Sequence, residues 1–415
     1  MKRRFGVLAA ALAAAAVACV TALAGAQADP GITTKKIVIG GTFPLSGPAS
    51  SYAPIPVGMK VYFSYINARR DPATKKRGVG GRQIVWKYYD DGYNPANTAQ
   101  QTRKLVEEDK VFATFGGLGT EPQQAVEKYM NDKKVPQLFV STGATEFGTQ
   151  QAQYPYTIGW QPDYVAEGTI YGKYASQNWP TKKIGIIVQD DSYGKDYSDG
   201  LKAGLGARAS NIVTEQKFAV TDTSVAKQVA AIRASGADVI VIFATPAKTI
   251  QTFATMKALK YRPEEVVMNS VSATDTFMKL SLANADAATV NGSISTGYLM
   301  DPQAAQYQST AGMQLYKRIM AKYAPSADPN NGLYFYGVAK AYDVVKLIQT
   351  AGKNPTRASV LRAARRINWT NPFTIPGVKV KTAANDPFPI SQVKLIRFNN
   401  GVWTEFGTLI DGRGT

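Results

Sequence analysis

The stretch FATFGGLGTEPQQAVEKY, from Phe112 to Tyr129, leaves a short apolar run at Gly116 and Gly117. It turns over Gly119 and opens at Thr120 into a helical pattern. A helix that starts where a buried strand ends presents unpaired N–H groups and a positive dipole end, and both attract an anion. Thr120 with Gln123 fits a capping box, and Pro122 is tolerated in a first helical turn. A tight strand-to-helix turn would account for the same glycines without any ligand. Other stretches place hydroxyl groups after apolar runs: Thr42 to Pro48 followed by Ser50, Ser51 and Tyr52; Ser141 to Thr145; Asp190 to Gly194; Thr245; and Asn269-Ser270.

Covalent and metal chemistry find few tools in this chain. It has 415 residues, no histidine and one cysteine, Cys19. Without histidine the usual general base, the commonest metal ligand and any Ser-His-Asp triad are missing. Carboxylate or lysine chemistry remains open. No G-x-x-x-x-G-K-[ST] occurs, and Gly117-Leu118-Gly119-Thr120-Glu121-Pro122 lacks the third glycine of a dinucleotide fingerprint. The aspartates between 190 and 199 lack the spacing of a calcium loop. No cofactor and no metal site are expected.

The elements that must hold these loops follow from periodicity. Apolar runs at 37–41, 83–89, 111–115 and 137–140 alternate with helical patterns at 56–68, 97–108 and 121–132. After a helix at 164–178 the pattern restarts, with strands at 183–189, 212–219, 238–244 and 265–268. Helices at 197–205, 223–235 and 247–259 separate them. Such alternation predicts parallel sheets covered by helices, so the fold class is α/β with two doubly wound lobes. Later come helices at 304–323, 333–351 and 357–366. Strands at 378–381, 391–398 and 402–406 follow, the last two joined by the hairpin signal Asn399-Asn400-Gly401. In open parallel sheets ligands lie beyond the carboxyl ends of strands. Two facing lobes would therefore line one cleft with the loops named above.

Lys2, Arg3 and Arg4 precede an alanine- and valine-rich stretch from Phe5 to Ala26, with Ala24-Gly25-Ala26 and Ala26-Gln27-Ala28 at its end. These are the parts of a secretory signal peptide, expected over residues 1–28, and the protein is expected in the periplasm or at the cell surface. Cys19 follows Ala16-Val17-Ala18 and leaves a lipoprotein open, although plain secretion fits the apolar run beyond it better. The mature chain then has no cysteine for a disulfide. The net charge of +18 is spread along the chain rather than gathered in basic runs between aromatics. A solvated basic surface explains it, and no nucleic-acid partner is expected.

The pieces IVIGGTFPLSGPASSYA, WKYYDDGYNPANTAQQTRKLVEEDKV, FGGLGTEPQQAVEKYMNDKKVPQLFVSTGAT and IGIIVQDDSYGKDYSDGLKAGL stand in an order that resembles a known family. It is that of the solute-binding proteins of ABC importers, of the branched-chain amino-acid (Leu/Ile/Val-binding) type. The resemblance implies a type I periplasmic binding protein fold, with lobe 1 at 36–158 plus 296–390 and lobe 2 at 159–295 plus 391–411. It implies a monomer that captures a small ligand, an amino acid or organic carboxylate, aromatic ones included. A membrane permease would receive that ligand, and no enzyme activity is implied. A sensor of the same fold is a rival, and an exported enzyme using Asp190 and Asp191 is a weaker one. The implied ligand-binding residues are Tyr52, Leu118, Gly119, Thr120, Gly143, Ala144, Thr145, Trp160, Gln161, Tyr193, Thr245 and Ser270. One departure matters. Where the family carries an acid for the ligand ammonium, this chain reads Met268-Asn269-Ser270-Val271-Ser272. Either the ligand lacks an ammonium, or Asp190, Asp191 or Asp275 takes that role.

Overall fold

The structure, a computed structural model, describes residues 29–383 and 386–413; the signal segment and Cys19 lie outside the described residues. The first lobe is built on a five-stranded sheet of order β2-β1-β3-β4-β5. Its elements are β1 (Lys36–Phe43), α1 (Pro54–Ala68), β2 (Gln83–Asp90), α2 (Pro95–Arg103), β3 (Ala113–Phe115), α3 (Thr120–Asp132), β4 (Gln137–Val140), α4 (Glu146–Thr149) and β5 (Thr157–Gly159). All of its pairings are parallel. The second lobe carries α5 (Tyr164–Asn178), β6 (Ile184–Gln189), α6 (Ser192–Leu205), β7 (Ile212–Phe218), α7 (Ala226–Ala234), β8 (Val239–Phe243) and α8 (Pro246–Ala258). It continues through β9 (Glu265–Met268), α9 (Asp275–Asn284), α10 (Ala287–Val290) and β10 (Ile294–Gly297).

The chain then returns to the first lobe with α11 (Ala311–Tyr323), α12 (Gly332–Thr350), α13 (Arg357–Ala364) and the small ribbon β11 (Asn368–Trp369) and β12 (Val380–Lys381). It crosses again and ends as β13 (Gln392–Asn399) and β14 (Val402–Asp411). This hairpin completes a seven-stranded sheet of order β14-β13-β10-β9-β8-β6-β7. Asn400 at φ 50° and Gly401 at φ 88° make the turn, as the Asn-Gly signal requires. β5 keeps Gly159 in the first sheet, and β10 keeps Thr296 and Gly297 in the second.

Central strands are apolar throughout, because both faces of a parallel sheet are covered. β8 (VIVIF) and β6 (IGIIVQ) are buried at every position. Several helices begin at side chains that accept from their own first turn: Asn94 for α2, Asp163 for α5, Asp191 for α6 and Thr310 for α11. The cap at Asp191 corrects one expectation. The helix expected from Tyr197 begins at Ser192, so Tyr193 and Gly194 lie in a helical turn rather than a loop. Likewise the helix expected at 304–323 starts only at Ala311, behind the Thr310 cap, and the one expected at 97–108 passes into a π turn after Arg103. β5, β10 and α9 are additions that the apolar pattern does not reveal.

Buried apolar side chains form one cluster that runs from the first sheet through Tyr164, Tyr193 and Tyr197 to the near face of the second, while a second cluster covers the far face. Around the cleft the lobes touch directly. Tyr52 Oη donates to Val271 O at 3.2 Å, Gln124 Nε2 to Ser192 Oγ at 3.2 Å, and the Thr145 N–H to Asp196 Oδ2 at 2.9 Å.

One buried acid makes stability pH-dependent. Burial, and then the nearby charge of Glu146, push Glu127 on α3 up to about 8. The folded protein thus holds a proton that the unfolded chain releases, so unfolding free energy declines as pH rises from the ordinary glutamate range to about 8. Glu127→Gln, which mimics the protonated acid, should make that decline shallower in urea titrations run across the range.

Candidate functional site

A cavity of about 70 Å³ lies between the lobes, at the carboxyl ends of strands from both sheets. The corner after β3 forms its first wall. Gly119 sits at φ 104°, and a Cβ there would stand 2.6 Å from the Tyr93 ring, so only glycine fits. This lets Leu118, Gly119 and Thr120 reach the cavity ahead of α3. The expected capping box does not form. Gly119 occupies the cap position, and Thr120, inside α3, places its Oγ1 2.7 Å from Thr142 Oγ1. Gln123 Nε2 reaches Thr42 Oγ1 at 3.0 Å instead of the helix start. In this first turn Pro122 has no N–H and the Gln123 N–H donates to Gly119 O at 3.3 Å, so Thr120 is the helix-start residue that lines the cavity.

Ser141, after β4, is the second polar group of this wall. Its Oγ donates to Gly116 O at 2.7 Å and accepts from the Nζ of Lys340. Lys340, on α12, is fully buried. Its ammonium stands 4.6 Å from the ring centre of Trp160 and 4.7 Å from that of Tyr336, and it also donates to Phe139 O at 3.1 Å. Phe139 sits at φ 55°, where β4 slips register against β5. That bulge points the carbonyl at the ammonium instead of along the ladder. Burial pushes Lys340 well below its ordinary value, and the charge of Asp343 opposes the shift. Asp343 accepts from Trp160 Nε1 at 2.9 Å and Trp369 Nε1 at 2.8 Å. Burial pushes it up to about 6 against those hydrogen bonds. Lys340 thus stands one hydroxyl behind the cavity wall, its charged form favoured by Asp343 and the two rings and opposed by burial.

The rest of the lining is phenolic. Tyr52, Tyr93, Tyr164, Tyr193, Tyr298 and Tyr336 all face the cavity. Burial raises all six above the ordinary phenol value, so they act as neutral donors or acceptors. Gln161 ties two of them, accepting from Tyr336 Oη at 2.8 Å and donating to Tyr164 Oη at 3.0 Å. Tyr164 stacks on Tyr197 at 4.5 Å and meets Tyr193 edge-on at 5.2 Å. From the second lobe, Tyr193 Oη accepts from Asn269 Nδ2, and Thr245 Oγ1 donates to Gln189 Oε1 at 3.2 Å. Ser270 donates through its N–H and its Oγ, each at 2.8 Å, to Glu167. Glu167 is buried on α5 and also accepts from Tyr171 at 2.5 Å and Tyr197 at 2.8 Å. Its carboxylate is saturated by protein donors, behind the lining.

Eight of the twelve expected residues line this cavity: Tyr52, Leu118, Gly119, Thr120, Gln161, Tyr193, Thr245 and Ser270. The other four do not. Trp160 is fully buried beneath it, its indole N–H committed to Asp343. Gly143 is wedged so that a Cβ would meet Pro162 O at 2.0 Å, and Ala144 is fully buried. Thr145 precedes α4 and donates its N–H to Asp196. Asp190 and Asp191 do not converge on the cavity as paired acids. Asp190 pairs with Lys217 at 2.9 Å, and Asp191 caps α6. Ser141 stands in one of the strand-end stretches named from the sequence, whereas Tyr93, Tyr164, Tyr298, Tyr336 and Lys340 behind them were not singled out. No local pattern marks them, since Tyr93 follows β2, Tyr298 follows β10, and Tyr164 and Tyr336 come from α5 and α12.

A family model described as "Periplasmic binding protein" matches residues 36–402. A leucine-specific-binding protein of Salmonella typhimurium is 25% identical over 198 residues, 48% of this chain and 50% of that one. A Leu/Ile/Val-binding protein homolog of Brucella melitensis is 21% identical over 205 residues, 49% of this chain and 53% of that one. The matched part thus spans about half the length of these curated relatives. Among solved structures, a branched-chain amino acid ABC transporter protein from Thermus thermophilus with bound valine superposes with a TM-score of 0.78 at 15% identity, covering 92% of this chain and 97% of that one. A fatty acid ABC transporter substrate-binding protein from Thermomonospora curvata gives 0.77 at 19%, covering 94% and 97%. At these identities the likeness is one of fold, the type I periplasmic binding protein fold.

Removing the acceptor beneath the site should be costly. Asp343→Leu leaves two indole N–H groups and the Lys340 ammonium without their buried partner, an expected loss of about 3–5 kcal/mol of unfolding free energy. Asp343→Asn should cost less, and urea denaturation followed by tryptophan fluorescence measures both.

Proposed function

Because the chain belongs to the periplasmic binding protein family, we propose that it is the extracytoplasmic receptor of an ABC importer for a small carboxylate, amino acids and aromatic acids included. It acts as a monomer, exported by the segment 1–28, and delivers its cargo to a membrane permease. The observation that carries this reading is the wall made by Thr120, Ser141 and the start of α3, with the buried Lys340 ammonium directly behind Ser141. Dipole end, hydroxyls and cation all favour negative charge at one place. The cage of tyrosines supplies flat apolar faces and neutral hydroxyls for the remainder of the ligand. Relatives with this fold include proteins named for leucine and for fatty acid, so the cavity rather than the fold supports the choice of cargo. A small volume suits a compact acid better than a long acyl chain.

No covalent step is required. Thr120 faces the carboxylate, and the Ser141 hydroxyl, by turning its one O–H from the Gly116 carbonyl to the ligand, links it to Lys340. Tyr193 and Ser270 line the opposite side of the cleft, and Tyr52 flanks the site from the first lobe. Cargo that touches both walls binds the shut arrangement better than the open one, which is what drives closure. The lobes proposed to move are residues 36–159 with 298–390, and 160–297 with 391–411.

A thermal-shift screen of amino acids, aromatic acids and their amides tests the reading. Carboxylates should raise Tm and the matching amides should not. Thr120→Val combined with Ser141→Ala should weaken the best acid at least about tenfold in calorimetry on folded protein, and should also lower the Tm of the free protein because Ser141 is a buried partner of Lys340. Equal responses to acids and amides would refute the carboxylate assignment. Lys340 adds a pH signature. A bound anion favours the charged ammonium, so affinity should fall as pH rises through the lowered Lys340 value and stay flat in Lys340→Met.

A further inference from the structure

Beside the tyrosine cage lies a second chamber, of about 120 Å³. The two share Ser270, Thr274, Tyr298 and Tyr336 as a common wall. The chamber is closed by the start of α9, the segment after β10, the start of α12, and β13 and β14. It is not merely an apolar gap. Asp275, in the first turn of α9, is 3% exposed, and among the described residues no N–H or neutral hydroxyl donor reaches either of its carboxylate oxygens. Asp301 faces it across the chamber with Oδ2 also lacking such a donor, while its Oδ1 accepts from the Gln303 N–H at 2.8 Å. The Trp403 Nε1–H and the Tyr307 hydroxyl, on the same walls, have no partner either.

Among the described residues the Trp403 and Tyr307 donors are unmade and the two carboxyls have no donor beyond each other, which is unusual because a buried donor or acceptor left unmade costs about 1–3 kcal/mol. They contrast with Glu167 nearby, whose carboxylate accepts four hydrogen bonds. Two facing carboxyls cannot both ionise cheaply, and Asp275 is pushed up by burial and then by a hydrogen bond with Asp301 and its charge. Empty, the pair holds a proton between them. The other charged groups around the chamber are already engaged. Lys279, which opposes the shift on Asp275, donates to Gln303, and Glu405 pairs with Lys394 at 2.6 Å.

We propose that this chamber is a second subsite that takes an ammonium or guanidinium group, with Asp275 and Asp301 as its counter-ions. On binding, the cation replaces the shared proton, which leaves to solvent. Both carboxylates then accept from the ligand's N–H donors. The chamber adjoins the carboxylate wall's cavity, so the cargo class extends to molecules carrying a cation at one end and a carboxylate at the other. That last step rests on the reading of the first cavity; the cation site itself does not.

The test uses 1,5-diaminopentane and 4-guanidinobutylamine as cation probes, hexanoate as the acid probe and 6-aminohexanoate as the bifunctional one, in calorimetry on the full mature protein. The cation probes should bind the wild type, release a proton seen as a dependence of heat on buffer, and bind more tightly as pH rises. Asp275→Asn with Asp301→Asn, isosteric with the protonated pair, should lose the cation probes and 6-aminohexanoate at least about tenfold while hexanoate is unaffected. Failure of both cation probes, or binding of them that the double variant does not weaken, overturns the subsite even where hexanoate binds. Cation binding without any response to hexanoate keeps the subsite and removes the carboxylate reading instead.

Discussion

A single buried ammonium organises the first lobe's half of the cleft. Lys340 stands between two aromatic rings, with one carbonyl, one hydroxyl and a carboxylate three residues away to offset its desolvation. A buried charge with poorer provision would cost several kcal/mol. Each of its partners is in turn held by a feature that would otherwise look accidental. Phe139 accepts a left-handed backbone to aim its carbonyl, Ser141 bridges the ammonium to the Gly116 carbonyl, and Asp343 is fixed by two indoles. The ends of β3 and β4 cannot shift without disturbing this set, so the wall facing the ligand is preorganised.

Against that rigid wall the second lobe brings a more adaptable one. Its contributions are hydroxyl and amide groups bonded to groups behind them: Tyr193 to Asn269, Thr245 to Gln189, Ser270 to Glu167. Glu167 occupies the general region where the family resemblance leads one to look for an acid. It arrives from α5 rather than from the loop after β9, and its four hydrogen bonds leave it no lone pair directed at a ligand. The same element that carries it, α5, follows directly on the crossover at Gly159–Asp163.

Much of the fold was legible because parallel strands buried on both faces must be apolar along their whole length. β8 satisfies that rule outright and β4, β6 and β9 do so apart from one polar end residue each, Gln137, Gln189 and Glu265; all four fell within a residue of where the sequence placed them. β5 and β10 are short and rich in threonine, serine and glycine, so nothing in TIG or ISTG distinguishes them from loop. The glycine corner and the strand-end hydroxyls were legible for a related reason, since topology puts every such loop on one cleft. What periodicity could not expose was the tyrosine cage and Lys340. In GLYFYGVAKAYDVV a lysine reads as a solvated helix face, and only the packing of α12 under the first sheet's strand ends turns it inward. Of the residues the resemblance implied, eight line this cavity and four lie off its lining. At Gly143 a Cβ would meet Pro162 O, and Trp160 spends its one polar atom on Asp343.

Three acids near the cleft show why residue type alone says little about role. Asp343 is buried and bonded to two indoles, Glu167 is buried and bonded to three hydroxyls and an amide, and Asp275 is buried with no such donor. The first two have had their hydration replaced by protein dipoles, which makes them parts of the frame. The third has not, and a folded chain retains such a group at a cost that no contact within the described residues offsets. Holding a proton with Asp301 lessens that cost without removing it, because Trp403 and Tyr307 beside them are left unmatched as well. The imbalance is local and chemically definite: acceptors that gain from positive charge, next to donors that gain from an oxygen. A cleft that is tightly satisfied on its anion-favouring side and left open on its cation-favouring side has a polarity along its length, and that polarity would orient any cargo that enters.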